Sequence, residues 1–412
     1  MTASAGSSLR APVIVVLAGV CAALHVGKLP PAIAALQAAM GLSLLQAGFL
    51  LSTVQVAGMT AGVAFGALAD ALGFKRSMLT GLLLLALASA AGGLAQDVSS
   101  LLVLRAVEGL GFLLVVLPAP GLIRRLVAPQ RLSRMLGLWG TYMPFGAALA
   151  LLVGPVWIGS FGWRAWWWAL GALSLAMALW LARAVPSIAG ASAPQPLPWA
   201  ERLRQTLSAP GPWLVAMTFA VYAGQWLAVI GFLPAIYLEA GVSGAATGML
   251  TALAAAVNMV GNLVSGRLLH GGMRPTRLLA IGFVTMALAA AAAFAAVDGA
   301  SLPPTLRYVA VLLFSAVGGL IPATLFSLAV HLAPSEQTLS STVGWIQQWS
   351  ALGQFGGPPL VAWVASRSGG WQWTWVATGA CALLGLLLTA RIAVLLRMRS
   401  TVRLSDNCER SC

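Results

Sequence analysis

Long apolar runs, each broken by a short polar or Gly/Pro-containing stretch, recur from residue 11 to residue 396 of the 412-residue chain. Each run holds about 20 nearly continuous apolar residues, the length of a membrane-crossing helix, and none shows the alternation over about 10 residues that marks a barrel strand. Dividing the chain at its breaks predicts twelve helices, near 11–36, 46–66, 78–95, 100–122, 135–158, 163–183, 211–237, 246–265, 278–297, 308–330, 341–365 and 373–395. The longest polar interval, Ala184 to Ala209, is too short for a soluble domain. The chain therefore reads as an all-α, multi-pass membrane protein. Its organisation is an N-terminal six-helix bundle (1–183), a linker (184–209), a C-terminal six-helix bundle (210–396) and a tail (397–412).

Composition sharpens this reading. Sixty per cent of the residues are hydrophobic, 8% are charged and the mean hydropathy is +0.92, whereas soluble domains carry roughly 25% charged residues. The net charge of +14 would point to nucleic acid in a soluble protein. Here the distribution of the basic residues explains it. With both termini cytoplasmic, 18 of the 23 Lys and Arg side chains fall on inside segments and three, Arg164, Arg307 and Arg367, fall outside. That bias satisfies the positive-inside rule, so the pI reports topology and no nucleic-acid partner is expected. The first ten residues resemble the start of a signal peptide, but the apolar run continues past any cleavage point and reads as the first span. Cys21, Cys381, Cys408 and Cys412 form no zinc-type set with histidine, and neither metal nor cofactor is expected. The ending Glu409-Arg410-Ser411-Cys412 is no prenylation box.

An internal repeat orders the spans. Gly66-Ala-Leu-Ala-Asp70-Ala-Leu-Gly73-Phe-Lys75-Arg76 closes the second span, and Gly266-Arg-Leu-Leu-His270-Gly-Gly-Met-Arg274 closes the eighth. Ala128-Pro129 recurs as Ala333-Pro334, and Gly154-Pro155 with Gly162-Trp163 recurs as Gly357-Pro358 with Gly370-Trp371. Two six-helix halves in the same orientation are an arrangement associated with secondary transporters.

The 66–76 segment resembles the loop between the second and third helices of the major facilitator superfamily, and the resemblance extends over essentially the whole chain. It implies a gating motif of Gly66, Asp70, Gly73, Lys75 and Arg76, although the family's basic residue directly after the Asp is Ala71 here. Arg105-Ala-Val-Glu108-Gly109-Leu-Gly111 resembles that family's fourth-helix motif. A charge near the bilayer centre costs about 2.5–3.5 kcal/mol, so Arg105 and Glu108 should avoid lipid, and their spacing of three allows them to pair. Glu108 is the carboxylate set well inside a span, which makes it, with Arg105, the candidate for proton coupling. The alternative is a pair that only braces the helix.

His25 and Lys28 precede Pro30-Pro31, where lost N–H groups favour a break. By resemblance, helices 1, 4, 7 and 10 line the central path, so Lys28, Arg105 and His25 are candidate substrate-binding residues. Tyr222, Trp226 and Gln347 would contribute from the second half. Lys28, Arg105 and Glu108 sum to +1, or +2 once Glu108 is protonated, which favours an anionic substrate. The competing readings are Lys28 snorkelling to the interface, His25 packed in the core and Tyr222 with Trp226 as helix packing. Gly58, Gly62 and Gly66 read as close helix packing. Trp163, Trp166, Trp167 and Trp168, with Trp371, Trp373 and Trp375, read as interfacial anchors.

Gly137-Leu-Trp139 and the segment Tyr222 to Ser243 are similar to the cyanate and nitroimidazole transporter branch, without that branch's Asn-x-Arg-Pro signature. Gly154-Pro155 with Gly159 is part of an antiporter signature. The sequence lacks Walker, Gly-x-Ser-x-Gly and metal-ligand motifs, which argues against an enzyme or an ATP-driven pump. The expectation is a monomeric secondary transporter in a bacterial-type inner membrane. It would move a small organic solute by alternating access, driven by a proton gradient and preferring anions. The alternative is an efflux pump for drug-like or siderophore-like metabolites.

Overall fold

The computed structural model describes residues 10–60, 62, 73–186, 198–297 and 300–409. In the first half, α1 (Arg10–Gly27) breaks at Lys28-Leu29. A short 3₁₀ turn, Pro30–Ala32, then leads into α2 (Ile33–Met40), because Pro30 and Pro31 supply no N–H to continue the helix. Next come α3 (Leu44–Thr53), α4 (Phe74–Gly92), α5 (Val98–Val116), α6 (Ala119–Leu126), α7 (Pro129–Trp139) and α8 (Tyr142–Ala184). The linker carries α9 (Trp199–Ser208). The second half contains α10 (Pro210–Glu239), α11 (Gly244–Ala256), α12 (Asn258–His270), α13 (Pro275–Phe294), α14 (Pro304–Gly318), α15 (Leu320–Leu332), α16 (Leu339–Ser368) and α17 (Thr374–Glu409).

Nine helical runs among the described residues are long and apolar enough to cross a membrane. The three remaining expected spans are also accounted for. The second is α3, a shorter apolar helix. The fifth and sixth merge in one 55-residue run, where Gly162, at φ +82°, makes the turn inside α8. The eleventh is α16, 30 residues long, whose apolar character Gln347, Gln348 and Gln354 dilute. Three features went unforeseen: helix α9 in the linker, the continuation of α17 through the expected tail, and a two-residue hairpin of β1 (Ala296–Val297) with β2 (Ala300–Ser301).

The core divides by half. One buried cluster, from Ile14 to Val185, lies wholly in the first half, and another, from Val215 to Ile392, takes only Ala148 and Leu151 from it. A third mixes the halves, joining Leu29, Ile33, Leu50 and Leu51 to Ala228, Phe232, Ala235, Val361 and Ala362. The halves are thus packed together at the end bearing the α1–α3 connection. At Gly48 a Cβ would meet Pro359 Cα at 3.0 Å and Ala362 Cβ at 3.1 Å, so helix backbones touch there. Midway along, Gln55 Nε2 donates to Gln354 Oε1 at 2.9 Å and Gln348 Nε2 donates to the Met59 carbonyl at 2.9 Å. Gly58 and Gly62 sit against Ala351 and Gln348, so these two stripe glycines pack between the halves.

Trp163, Trp166 and Trp167 are buried, and Trp168 is exposed. The first three pack into the third, mixed cluster instead of lying exposed at an interface. A Cβ on Gly92 would lie 2.6 Å from Trp167.

Candidate functional site

Cys21, His25 and Lys28 occupy one face of α1 at spacings of four and three. Lys28 sits where the helix breaks, and its carbonyl, released from the ladder, accepts Trp166 Nε1 at 3.1 Å. Gly154 on α8 makes room for that break, since a Cβ there would lie 2.6 Å from Pro31. Opposite, Asp97 caps α5 by accepting the Ser100 N–H at 2.9 Å, and Arg105 and Glu108 follow on one face.

These groups converge. Lys28 Nζ donates to Glu108 Oε1 and, at 2.8 Å, to Ser89 Oγ, and lies 4.6 Å from the Trp167 ring centroid. Arg105 Nη1 donates to Glu108 Oε2 at 2.6 Å and to the His25 carbonyl at 2.7 Å, while its Nε reaches the Leu50 carbonyl at 3.3 Å. Arg105 Nη2 has no partner. His25 Nε2 lies 2.7 Å from Ser174 Oγ, and His25 Nδ1 lies 3.5 Å from Lys28 Nζ and 3.8 Å from Glu108 Oε1. Lys28 and Arg105 are 0% exposed and Glu108 is 1% exposed. One carboxylate is therefore held between two cations, inside a helix bundle and away from water. A lone buried charge would be prohibitive, but here each ionic group has partners, and one positive charge remains in excess.

The structure thus gathers His25, Lys28, Arg105 and Glu108, and Lys28 does not snorkel. Ser89 and Ser174 complete the cluster without having been singled out, and Trp167, expected as an interfacial anchor, joins them. The signal available was a serine recurring within otherwise apolar helices, which a search for charged residues passes over.

Tyr222 and Trp226 are placed elsewhere, within the second half. Asn258 Nδ2 donates to Tyr222 Oη at 2.9 Å and to the Ser315 carbonyl at 2.9 Å, and Trp226 Nε1 donates to Ser315 Oγ at 3.1 Å. Gln347 is half-buried on α16. Gln225 is buried with neither amide atom partnered. Of the gating motif, Gly66 and Asp70 lie outside the described residues. Gly73 takes φ +82° to start α4, a backbone conformation glycine adopts without strain. Lys75 Nζ donates to the Ala182 carbonyl at 2.8 Å, so a cation meets the negative end of the α8 dipole. Arg76 is exposed.

A buried charge cluster inside the first helical half is found together with a match to the Major Facilitator Superfamily over residues 15–355. The chain belongs to this superfamily. Its members are transporters and not enzymes. Multidrug resistance protein 3 of Bacillus subtilis (strain 168) is 31% identical over 130 residues, 30% of this chain and 25% of that protein. The cyanate transport protein of Escherichia coli (strain K12) is 27% identical over 184 residues, covering 43% and 46%. The chain thus matches less than half the length of either relative. A bacterial homologue of the human lysosomal transporter Spinster, solved inward-facing and occupied, superposes with a TM-score of 0.78 at 16% identity, covering 93% of this chain and 96% of that one.

Proposed function

We propose that the protein is a secondary active transporter of a small organic solute, coupled to protons through Glu108 and Arg105 and selective for anions. The observation that carries this reading is the buried carboxylate shared between Lys28 and Arg105. With Glu108 ionised the cluster holds +1; a proton raises it to +2, and an anion entering beside it restores the lower charge. Proton and anion then favour each other's binding, which is the thermodynamic content of coupling. The unpartnered Arg105 Nη2 is a donor free for such an anion. His25, Lys28, Arg105, Tyr222, Trp226 and Gln347 remain the proposed substrate residues, and Gly66, Asp70, Gly73, Lys75 and Arg76 the proposed gate. The end joined by Leu51 and Gly231 is the outer one, both termini are cytoplasmic, and a single chain in a bacterial-type inner membrane suffices. In an inward-facing state the halves would part at the cytoplasmic end and stay packed at the outer end, and the mixed cluster at the end bearing the α1–α3 connection supports that reading.

The test is the thermal stability of the detergent-purified protein against cyanate, acetate and benzoate, organic cations and neutral aromatic compounds, repeated on Lys28→Ala and Arg105→Ala. A ligand at a hundredfold excess over its Kd stabilises the folded state by about 2.7 kcal/mol. Stabilisation by anions that disappears in both variants supports the reading.

A second reading, an efflux pump for drug-like or siderophore-like metabolites, is favoured by the multidrug resistance relative and by Gly154-Pro155 with Gly159. Stabilisation by hydrophobic or cationic compounds alone, unchanged in the variants, would overturn the anion reading in its favour.

A further inference from the structure

His25 lies beside the coupling pair, and Ser174 joins it to Cys21. Lys28 Nζ carries hydrogens and no lone pair, so His25 Nδ1, 3.5 Å away, is an acceptor nitrogen. The ring hydrogen of the neutral imidazole is therefore on Nε2, which donates to Ser174 Oγ at 2.7 Å. The Ser174 hydroxyl is left to point at Cys21 Sγ, 3.5 Å away. Lys28 and Ser174 together thus set the tautomer, Ser174 holds the ring orientation, and the Nδ1 lone pair faces Lys28 and Glu108.

We propose that His25 is the proton-receiving group of this cluster in the present conformation and that Ser174 is its positioning residue. This rests on the proton-coupled reading above. Both oxygens of Glu108 are already engaged by short contacts, Oε1 by Lys28 and Oε2 by Arg105, whereas the Nδ1 lone pair meets Lys28 Nζ only at 3.5 Å and lies 3.8 Å from Oε1. A proton that reaches the cluster forms an N–H bond at Nδ1, the imidazole becomes an imidazolium and the cluster charge rises from +1 to +2. Glu108 stays ionised and now faces three cations. Once a movement of α1 lifts Lys28 from Oε1, the Nδ1–H bond breaks and an O–H bond forms on Glu108, with the total charge unchanged. The groups that meet His25 are Lys28 at the end of α1, Arg105 and Glu108 on α5 and Ser174 on α8, with Ser89 of α4 beyond Lys28 and Cys21 of α1 beyond Ser174. The Glu108 carboxylate and the cations of Lys28 and Arg105 therefore set its response.

The experiment needs no substrate. Protein labelled with ¹⁵N-histidine in lipid vesicles is titrated from about pH 9 to about pH 4, with His25 assigned by loss of its signal in His25→Gln. The Glu108 carboxyl C=O stretch is followed by infrared spectroscopy and assigned by its loss in Glu108→Gln. The expected result is an Nε2–H tautomer that converts to imidazolium before any Glu108 carboxyl band appears. Ser174→Ala should show mixed tautomers, and Ser174→Thr, which keeps the hydroxyl, should restore one. A Glu108 band that appears while His25 stays neutral overturns the proposal and leaves the coupling reading standing. Titration of neither group across the range overturns both. An unchanged tautomer in Ser174→Ala overturns the role of Ser174.

Discussion

Replacing Glu108 by Gln removes the anion and leaves Lys28 and Arg105 facing each other. Each cation sits on a different oxygen of one carboxylate, so their centres are roughly 5–6 Å apart. At an effective dielectric of about 20 their repulsion is about 3 kcal/mol. In the native cluster two attractions of about 4 kcal/mol each outweigh it. Desolvation has already consumed much of that gain, and breaking a buried pair from one side costs about 3–5 kcal/mol net. Glu108→Gln is therefore expected to destabilise the folded state by about 3–5 kcal/mol. The double variant Lys28→Met with Glu108→Gln should be the more stable of the two by about 3 kcal/mol, because the second cation is gone. Lys28→Met alone leaves the neutral Arg105–Glu108 pair and should be the most stable of the three variants. The assay is equilibrium unfolding in mixed detergent micelles followed by circular dichroism, read as a double-mutant cycle. A double variant as unstable as Glu108→Gln, or less stable, would refute the claim that one carboxylate holds two cations in place.

Three further outcomes follow from the packing and capping. Gly353→Ala would put a Cβ 1.9 Å from the Ala220 carbonyl oxygen, whereas Gly356→Ala meets nothing within 4 Å; thermal unfolding should show a large loss for the first and little change for the second. Gly48 and Ala362 would bring two Cβ atoms to 3.1 Å, a few tenths of an ångström inside the usual disulfide range. With Cys381, Cys408 and Cys412 replaced by Ser, Gly48→Cys with Ala362→Cys should form a disulfide on oxidation and arrest transport until reduced; continued transport by the cross-linked protein would show that this end does not open. Asp97, whose carboxylate is held below its usual range by the Ser100 hydroxyl and backbone N–H, contributes to stability above the ordinary Asp pKa and loses that contribution as pH falls through its lowered value. Asp97→Asn keeps a capping oxygen without the titration, so its stability should vary less with acid, and identical acid profiles would refute the assignment.

The twelve spans were legible because a bilayer demands long apolar runs, and the break after Lys28 because consecutive prolines remove N–H groups. The Arg105–Glu108 pair was legible because i,i+3 side chains share a helix face whatever surrounds them. Contacts between distant helices were not legible in this way. Nothing local in the sequence places Ser89 on Lys28 or Ser174 on His25, because each pairing is decided by how four helices rotate about their axes. The aromatic residues misled for a related reason. Trp163, Trp166 and Trp167 have the composition of an interfacial belt, and only the facing Gly92 and Gly154 with Pro31 show that the rings turn inward. Tyr222 and Trp226, proposed as substrate residues, have hydrogen-bond partners in Asn258 and Ser315 that nothing local in the sequence reveals.

The central claim is that Glu108 couples solute movement to protons, and the most direct test is flux through reconstituted vesicles. The anion that stabilises the purified protein would be used, with rates normalised to folded protein recovered from gel filtration. Glu108→Gln should lose accumulation driven by a pH gradient while retaining solute exchange in its absence. Accumulation at the native level by Glu108→Gln, or loss of both activities together, would contradict the account.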